Sequence, residues 1–259
     1  MGAEMGEQMP NPTKVRVVPV DPTAEPDNVE TRIVFPRPDE VKSEQPINIQ
    51  LRTEGFAVGN DTEVPREKEI WNDPEGQSWH VFIDNHPYFA VNQSAIIDAL
   101  DDMDANWYEQ TLEFEIPFDV APGEHVIRTF PVRSFNESLK GDGCYAARRF
   151  FFQTTTPTLD VDLHAPYLTY NEPQDDYNFS SAQPILLDFY LSNCQLSKDG
   201  YKVRLSIDGA VQRDLVAWVP YYLYGLSRGR HTIRLELLDP ENKRVPGLFN
   251  DVQRVIEVR

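Results

Sequence analysis

Along most of the chain, short runs of Val, Ile, Leu, Tyr and Phe alternate with polar residues, and each run stops at Pro, Gly, Asn or Asp. A period of two between turn residues predicts β-strands. "HTIRLELLDPENKRVPGLF" (231–249) reads as one strand, a Pro-containing turn and the start of a return strand. One segment breaks the pattern. In "NQSAIIDALDDMDANW" (92–107), Ala95, Ile96, Ala99, Leu100 and Met103 share one face of a helix, and Ser94 suits its N-terminal cap.

The strand pattern is written twice. "APGEHVIR" (121–128) returns as "SRGRHTIR" (227–234), a shared Gly-x-His-x-Ile-Arg. The match extends both ways: "QPINIQL" (45–51) faces "QPILLDF" (183–189), and "VFIDN" (81–85) faces "LSIDG" (205–209). Downstream, "GCYAARRFFF" (143–152) faces "GLFNDVQRVIEV" (247–258), with Arg149 set near Arg254. Two copies in the same order indicate duplication of one unit of about a hundred residues, too few for a solenoid. The fold class predicted is all-β: two tandem immunoglobulin-like β-sandwich domains, the first with an acidic loop and short-helix insertion. The expected organisation is an extended Pro-rich tail (1–28), a first domain (29–156) and a second (157–259). His125 and His231 each begin a strand after a turn glycine. They are expected to act as structural corners, a ring N–H bonding back to the backbone upstream as a corner Tyr does in many sandwiches.

Ile207-Asp208-Gly209, followed by the run from Leu226 to Arg234, resembles the bacterial Ig-like modules that carry Ile-Asp-Gly and then Leu-x-x-Gly-x-His-Thr-Ile/Leu-Arg. The first copy departs from that pattern with Asn85 and Val120. The resemblance covers about half of each unit, and its motifs are structural, so it implies a fold and no activity.

The first copy is longer. Gln45 to Asp84 spans 39 residues where Gln183 to Asp208 spans 25, and Asp84 to Gly123 spans 39 where Asp208 to Gly229 spans 21. The extra residues, near 54–77 and 92–107, are polar and acidic, and additions to a scaffold are where function is commonly placed. The tail holds five prolines, but "KVRVVPV" (14–20) can add as an edge strand to a sheet of this chain or of a partner.

Charge sharpens this. The net charge is −18, and residues 54–119 alone hold 16 acidic against 2 basic residues, a net of −14. Such a field opposes nucleic-acid binding and suits a basic partner or a cation. Two cysteines, Cys144 and Cys194, lack a Cys-x-x-Cys spacing and read as buried thiols. No apolar run is long enough to span a bilayer. "MGAEMGEQMPNP" lacks a signal-peptide pattern, so the expected compartment is cytoplasmic if Met1 is the native start, and exported if the chain is a processed form.

Candidate chemistry is sparse. "GLSRG" (225–229) matches Gly-x-Ser-x-Gly, but a nucleophile elbow needs a following helix, and here a strand follows. Asp102, Asp104, Asn106 and Glu113 fall at positions 1, 3, 5 and 12 of a calcium loop, with Trp107 where the loop needs Gly. His80 and His86 flank the Ile83-Asp84 strand end, and with acidic residues beside them they are candidates for a metal site. In "AWVPYYLYGL" (217–226), alternation with Leu226 inward places Trp218, Tyr222 and Tyr224 in the core and Tyr221 on an outer aromatic face, beside Arg228, Arg230 and Arg234. No acid–base pair, phosphate loop or triad stands out. The function expected is therefore a non-catalytic accessory or scaffolding subunit. It docks on a larger, membrane-associated or soluble, protein assembly through its tail strand (Val15, Val17, Val18) and the Tyr221–Arg234 surface, without a cofactor. A module binding carbohydrate or a cation, through Tyr221 or the Asp102 loop, is the alternative.

Overall fold

The computed structural model describes residues 15–92, 109–159, 161–177 and 183–259. Its strands make four sheets that face each other in pairs, and the chain is all-β with two immunoglobulin-like sandwiches. In the first, β2 (Glu30–Phe35), β4 (Asn48–Glu54) and β7 (Glu109–Glu115) form a sheet in the order β2-β4-β7. It faces β3 (Val41–Lys42), β9 (Ala146–Phe152), β8 (Gly123–Val132), β5 (Ser78–Ile83) and β6 (Phe89–Val91), in the order β3-β9-β8-β5-β6. In the second, β10 (Tyr167–Glu172), β12 (Ile185–Ser192) and β15 (Tyr221–Tyr224) face β11 (Asp175–Tyr177), β17 (Asp251–Val258), β16 (Gly229–Leu238), β13 (Lys202–Ile207) and β14 (Ala210–Leu215), in the order β11-β17-β16-β13-β14.

The strand orders coincide element by element, down to one parallel pair in each half, β3 with β9 and β11 with β17. Irregularities recur as well: pairing slips between Ile33 and Phe35, and again between Tyr170 and Glu172. The pairing also corrects one alignment. His125 lies opposite Phe150 and His231 opposite Ile256, so Arg148, not Arg149, is the counterpart of Arg254.

Each sandwich has its own core. Inward residues alternate as the sequence does: Val203, Leu205 and Ile207 of β13 meet Ile233 and Leu235 of β16 and Leu187 and Phe189 of β12. In the first core, Trp79 is fully buried, donates its Nε1–H to Thr31 Oγ1 (3.0 Å) and meets Phe56 edge-on. That is the place where immunoglobulin sandwiches put a Trp.

Among the described residues, the second sandwich has one strand more. β1 (Arg16–Pro19) comes from the tail and pairs antiparallel with β15, extending the sheet to β1-β15-β12-β10. Val15 and Val17 pack against the second core. The outer edge of β1 is closed to further pairing. Pro19 has no N–H to offer, and Arg213 Nη1 donates to the Val17 carbonyl (3.0 Å). The strand expected to dock on a partner thus completes a sheet of its own chain. From there the tail crosses to the first sandwich. Thr23 donates from both N–H and Oγ1 to the buried Glu137 carboxylate (2.8 Å each), and Arg66 and Arg133 hold the Asp21 and Ala24 carbonyls.

Candidate functional site

Strands β5, β8, β10 and β12 are buried along their whole lengths, so both faces of each are covered. The covering surface is the other sandwich. The outer face of β5 and β8 lies against the outer face of β10 and β12, and the two sandwiches share a third interior, the seam. Phe130 stacks on Tyr190 (4.9 Å), which stacks in turn on Tyr145 (5.0 Å). Trp218 stands nearly perpendicular to Tyr190, at 82° and 4.9 Å.

Polar groups in the seam are held by partners across it. Asp188, fully buried, accepts from Lys140 Nζ (2.6 Å), Ser138 Oγ (2.6 Å) and Asn171 Nδ2 (2.8 Å). His80 is buried, shares 2.7 Å between Nδ1 and Asn171 Oδ1, and lies flat on Tyr88 at 3.5 Å. Burial pushes its pKa down to about 3, so the ring is neutral. Arg128 spans the seam, donating to Thr169 Oγ1 (2.7 Å) and the Asp84 carbonyl (2.6 Å), with its guanidinium 3.6 Å from the Phe249 ring centre. Burial lowers its pKa to about 10, which leaves it charged at neutral pH.

The first acidic insertion belongs to this seam. It contains a single 3-10 turn at Pro65–Lys68. Beyond that turn, Ile70 is buried against Phe135, Leu186 and Tyr222, and Tyr222 donates its hydroxyl to Glu69 (2.9 Å). The segment expected as an exposed functional loop therefore straps one sandwich to the other.

The duplicated histidines form matching clasps. His125 Nδ1 lies 2.7 Å from Asp84 Oδ2 and its Nε2 lies 2.7 Å from the Ala121 carbonyl. His231 repeats this with Asp208 (2.7 Å) and the Ser227 carbonyl (2.8 Å). Each aspartate takes a backbone N–H on its other oxygen, from Val126 and Thr232 (2.8 Å each). With an acceptor at both nitrogens, the His125 ring makes both bonds only as the doubly protonated cation. Burial disfavours the charge on His125, but Asp84 and the Ala121 carbonyl outweigh it and its pKa is raised.

The remaining expected site residues separate. Tyr221 is corrected: it is buried in the second core, and its hydroxyl donates to the Ala217 carbonyl (2.8 Å). The strand there is only Tyr221–Tyr224, bounded by Pro220 and by Gly225 at φ 81°, so alternation cannot be counted back from Leu226. Tyr221 and Leu223 face the core, and Tyr222 faces the seam. Arg228 and Arg230 are exposed. Arg234 is bound to Asp251 by two bonds (2.7 and 2.8 Å) and lies 3.0 Å from Glu236. Its counterpart in the first copy is the seam residue Arg128: one motif position, two environments. Val18 pairs with Tyr222. Asp102, Asp104 and Asn106, and the helix expected over 94–103, lie outside the described residues. Glu113 sits exposed on β7 and accepts from Gln50. Among the described residues, no group of three or more His, Cys, Asp and Glu side chains is placed to hold a metal ion, and no helix is long and apolar enough to cross a membrane. Cys144 and Cys194 are both free thiols, which burial pushes up to about 12 and about 11.

No family model and no curated protein matches the chain. Among solved structures it is similar to the fibronectin(III)-like modules of CbhA from Clostridium thermocellum, at 12% identity over 88% of this chain and 94% of that one, with a TM-score of 0.29. It is also similar to immunoglobulin domains 1–4 of Sidekick-1 (10%, 89% and 49%, 0.23) and to the FN1–FN3 domains of chicken CNTN1 (10%, 92% and 68%, 0.23). The assignment of the fold rests on the strand pairing itself.

The seam opens at one end into a cleft of about 760 Å³. The turn at 140–145, Leu163 and His164, the end of β12 and Trp218 form its walls. Sequence reasoning missed both seam and cleft. The signal available was the large apolar residues on the second face of two strands, Leu186 and Tyr190 of β12 and Phe82 of β5, beyond what strands with one solvated face carry.

Proposed function

We propose that the chain is a non-catalytic accessory or scaffolding subunit that docks on a larger protein assembly as one rigid body. The seam carries this reading. Two sandwiches that merely followed one another on a string would not bury Asp188, Arg128 and His80 between them with their partners drawn from both. A body in which relative motion would strand buried charges holds whatever attaches to its two ends at a fixed distance and angle. The tail strand is occupied within the chain, so docking falls to exposed surface: Arg228 and Arg230 on the second sandwich, and Val34, Phe35 and Val41 at one edge of the first.

The test is the apparent mass of the endogenous protein in a gentle, detergent-solubilised native extract, with identification of whatever comigrates. A large complex with fixed companions is expected, dissolved by charge reversal at Arg228 and Arg230 together. Migration at the 29.8 kDa of the free chain overturns the reading.

A further inference from the structure

The cleft at the end of the seam has the size of a small-ligand site, for which about 300–1,000 Å³ is typical. Its aromatic wall is fixed in place. Tyr145 is held by stacking on Tyr190 and by a 2.6 Å hydroxyl contact with Tyr167. Trp218 is held by its Nε1–H, which donates to the Phe189 carbonyl (2.9 Å). Both rings remain partly exposed. They form a corner of a stacked pair and a perpendicular ring, set before any ligand arrives, so binding freezes few rotamers. Around the corner, Asp142, His164 and Gln195 are exposed and line the same cleft. A second hollow of about 310 Å³ shares the Ala147, Leu163 and His164 wall with it and reaches Arg149 and Asp39.

We propose that this cleft binds a neutral oligosaccharide. A sugar ring offers apolar C–H faces to aromatic walls and hydroxyls at its edge, and this cleft offers rings with hydrogen-bonding side chains at their margin. An anionic ligand fits poorly, because the cations nearby are engaged: Lys140 by Asp188, Arg149 by Asp39, and Arg148 by the Pro36 and Ile33 carbonyls, while the rim adds the Asp142 carboxylate. Strand addition by an extended peptide is restricted here: β10 holds one edge of β12 through Ser192, and on the other, where β15 pairs only with Ile185–Leu187, the Trp218 Nε1–H takes the Phe189 carbonyl. The second hollow gives room for a further ring. This proposal is independent of the docking role, which stands or falls on the native complex.

The experiment is a tryptophan-fluorescence and calorimetric titration of the full chain with four neutral hexasaccharides: cellohexaose, xylohexaose, mannohexaose and maltohexaose. Saturable binding to at least one is expected, and Trp218→Ala should weaken it by at least about tenfold while Trp218→Phe retains most of it. Because Trp218 also packs against the second core, the exposed pair Gln195→Ala and Asp142→Ala is measured beside it, with unchanged melting temperature and several-fold weaker binding expected. Absence of saturable binding to all four up to about 10 mM overturns the proposal. So does saturable binding that none of these variants alters.

Discussion

Replacing Lys140 by Met leaves the Asp188 carboxylate buried in the seam without a counter-charge. Removing one partner of a buried ion pair costs about 3–5 kcal/mol. Asp188 keeps its bonds from Ser138 Oγ, the Ser138 N–H and Asn171 Nδ2, which soften the loss, so the low end of that range, about 3 kcal/mol, is expected. For a chain of this size about 1 kcal/mol moves the melting temperature by roughly 2–4 °C, which gives a fall of roughly 6–12 °C. Urea denaturation followed by intrinsic fluorescence measures it directly. Asp188→Asn and the double variant complete the cycle, and a coupling energy of about 2 kcal/mol is expected because each group's role depends on the other. A loss under about 1 kcal/mol for Lys140→Met, or a cycle that is additive, would mean that the pair is solvated and the seam is not closed there.

Deleting residues 1–20 removes a strand with two half-buried valines and its ladder bonds, a loss of about 2–4 kcal/mol, and bares the edge of β15; light scattering should show association, and an unchanged monodisperse sample would contradict the assignment of β1. The His125 clasp makes a pH-dependent contribution. Its pKa is raised on folding, so the contribution is complete below the unfolded value of about 6.5 and disappears as pH rises through the higher folded value. The melting-temperature difference between wild type and His125→Phe, followed from about pH 5.5 to about 8.5, should therefore shrink with rising pH, and a constant difference refutes the cationic clasp. Gly55 and Gly209 both have positive φ, 75° and 78°, but a Cβ on Gly55 would lie 2.6 Å from the Asn28 carbonyl oxygen, whereas one on Gly209 meets nothing within 4 Å. Gly209→Ala should cost about 1 kcal/mol and Gly55→Ala clearly more by chemical denaturation; equal costs would disprove the close approach.

The strands were legible because each sandwich buries one face of most of them, which writes alternation into the sequence. The histidine clasp was half legible. Its bond to the upstream carbonyl follows from the turn, but the Asp84 and Asp208 carboxylates reach it from another strand's end, and spacing does not encode that. The seam was not legible. "ILLDFYLS" announces a strand covered on both sides without naming the cover, and Ile70 stands beside Trp71 in a polar stretch, with no period to reveal that Ile70 is buried and Trp71 exposed. Tyr221 was misplaced because alternation was counted through Gly225, beyond the end of a four-residue strand. The Arg149 match was one residue off because identity, not pairing, set the alignment, and in a strand one residue changes the face.

The pairing of Arg16 with Tyr224 joins positions 208 residues apart, the first described strand with one near the end. At a synthesis rate of about 5–20 residues per second, β1 leaves the ribosome roughly 10–40 s before the strand it needs. The first half is complete in sequence while that segment still waits, and the last half cannot close its sheet with its own residues. Expressed alone, residues 157–259 would present a raw strand edge, and residues 29–156 would present Phe82 and Phe130 to water. The unit of folding, of truncation and of any engineered fusion is therefore the whole two-sandwich chain, although its sequence repeats.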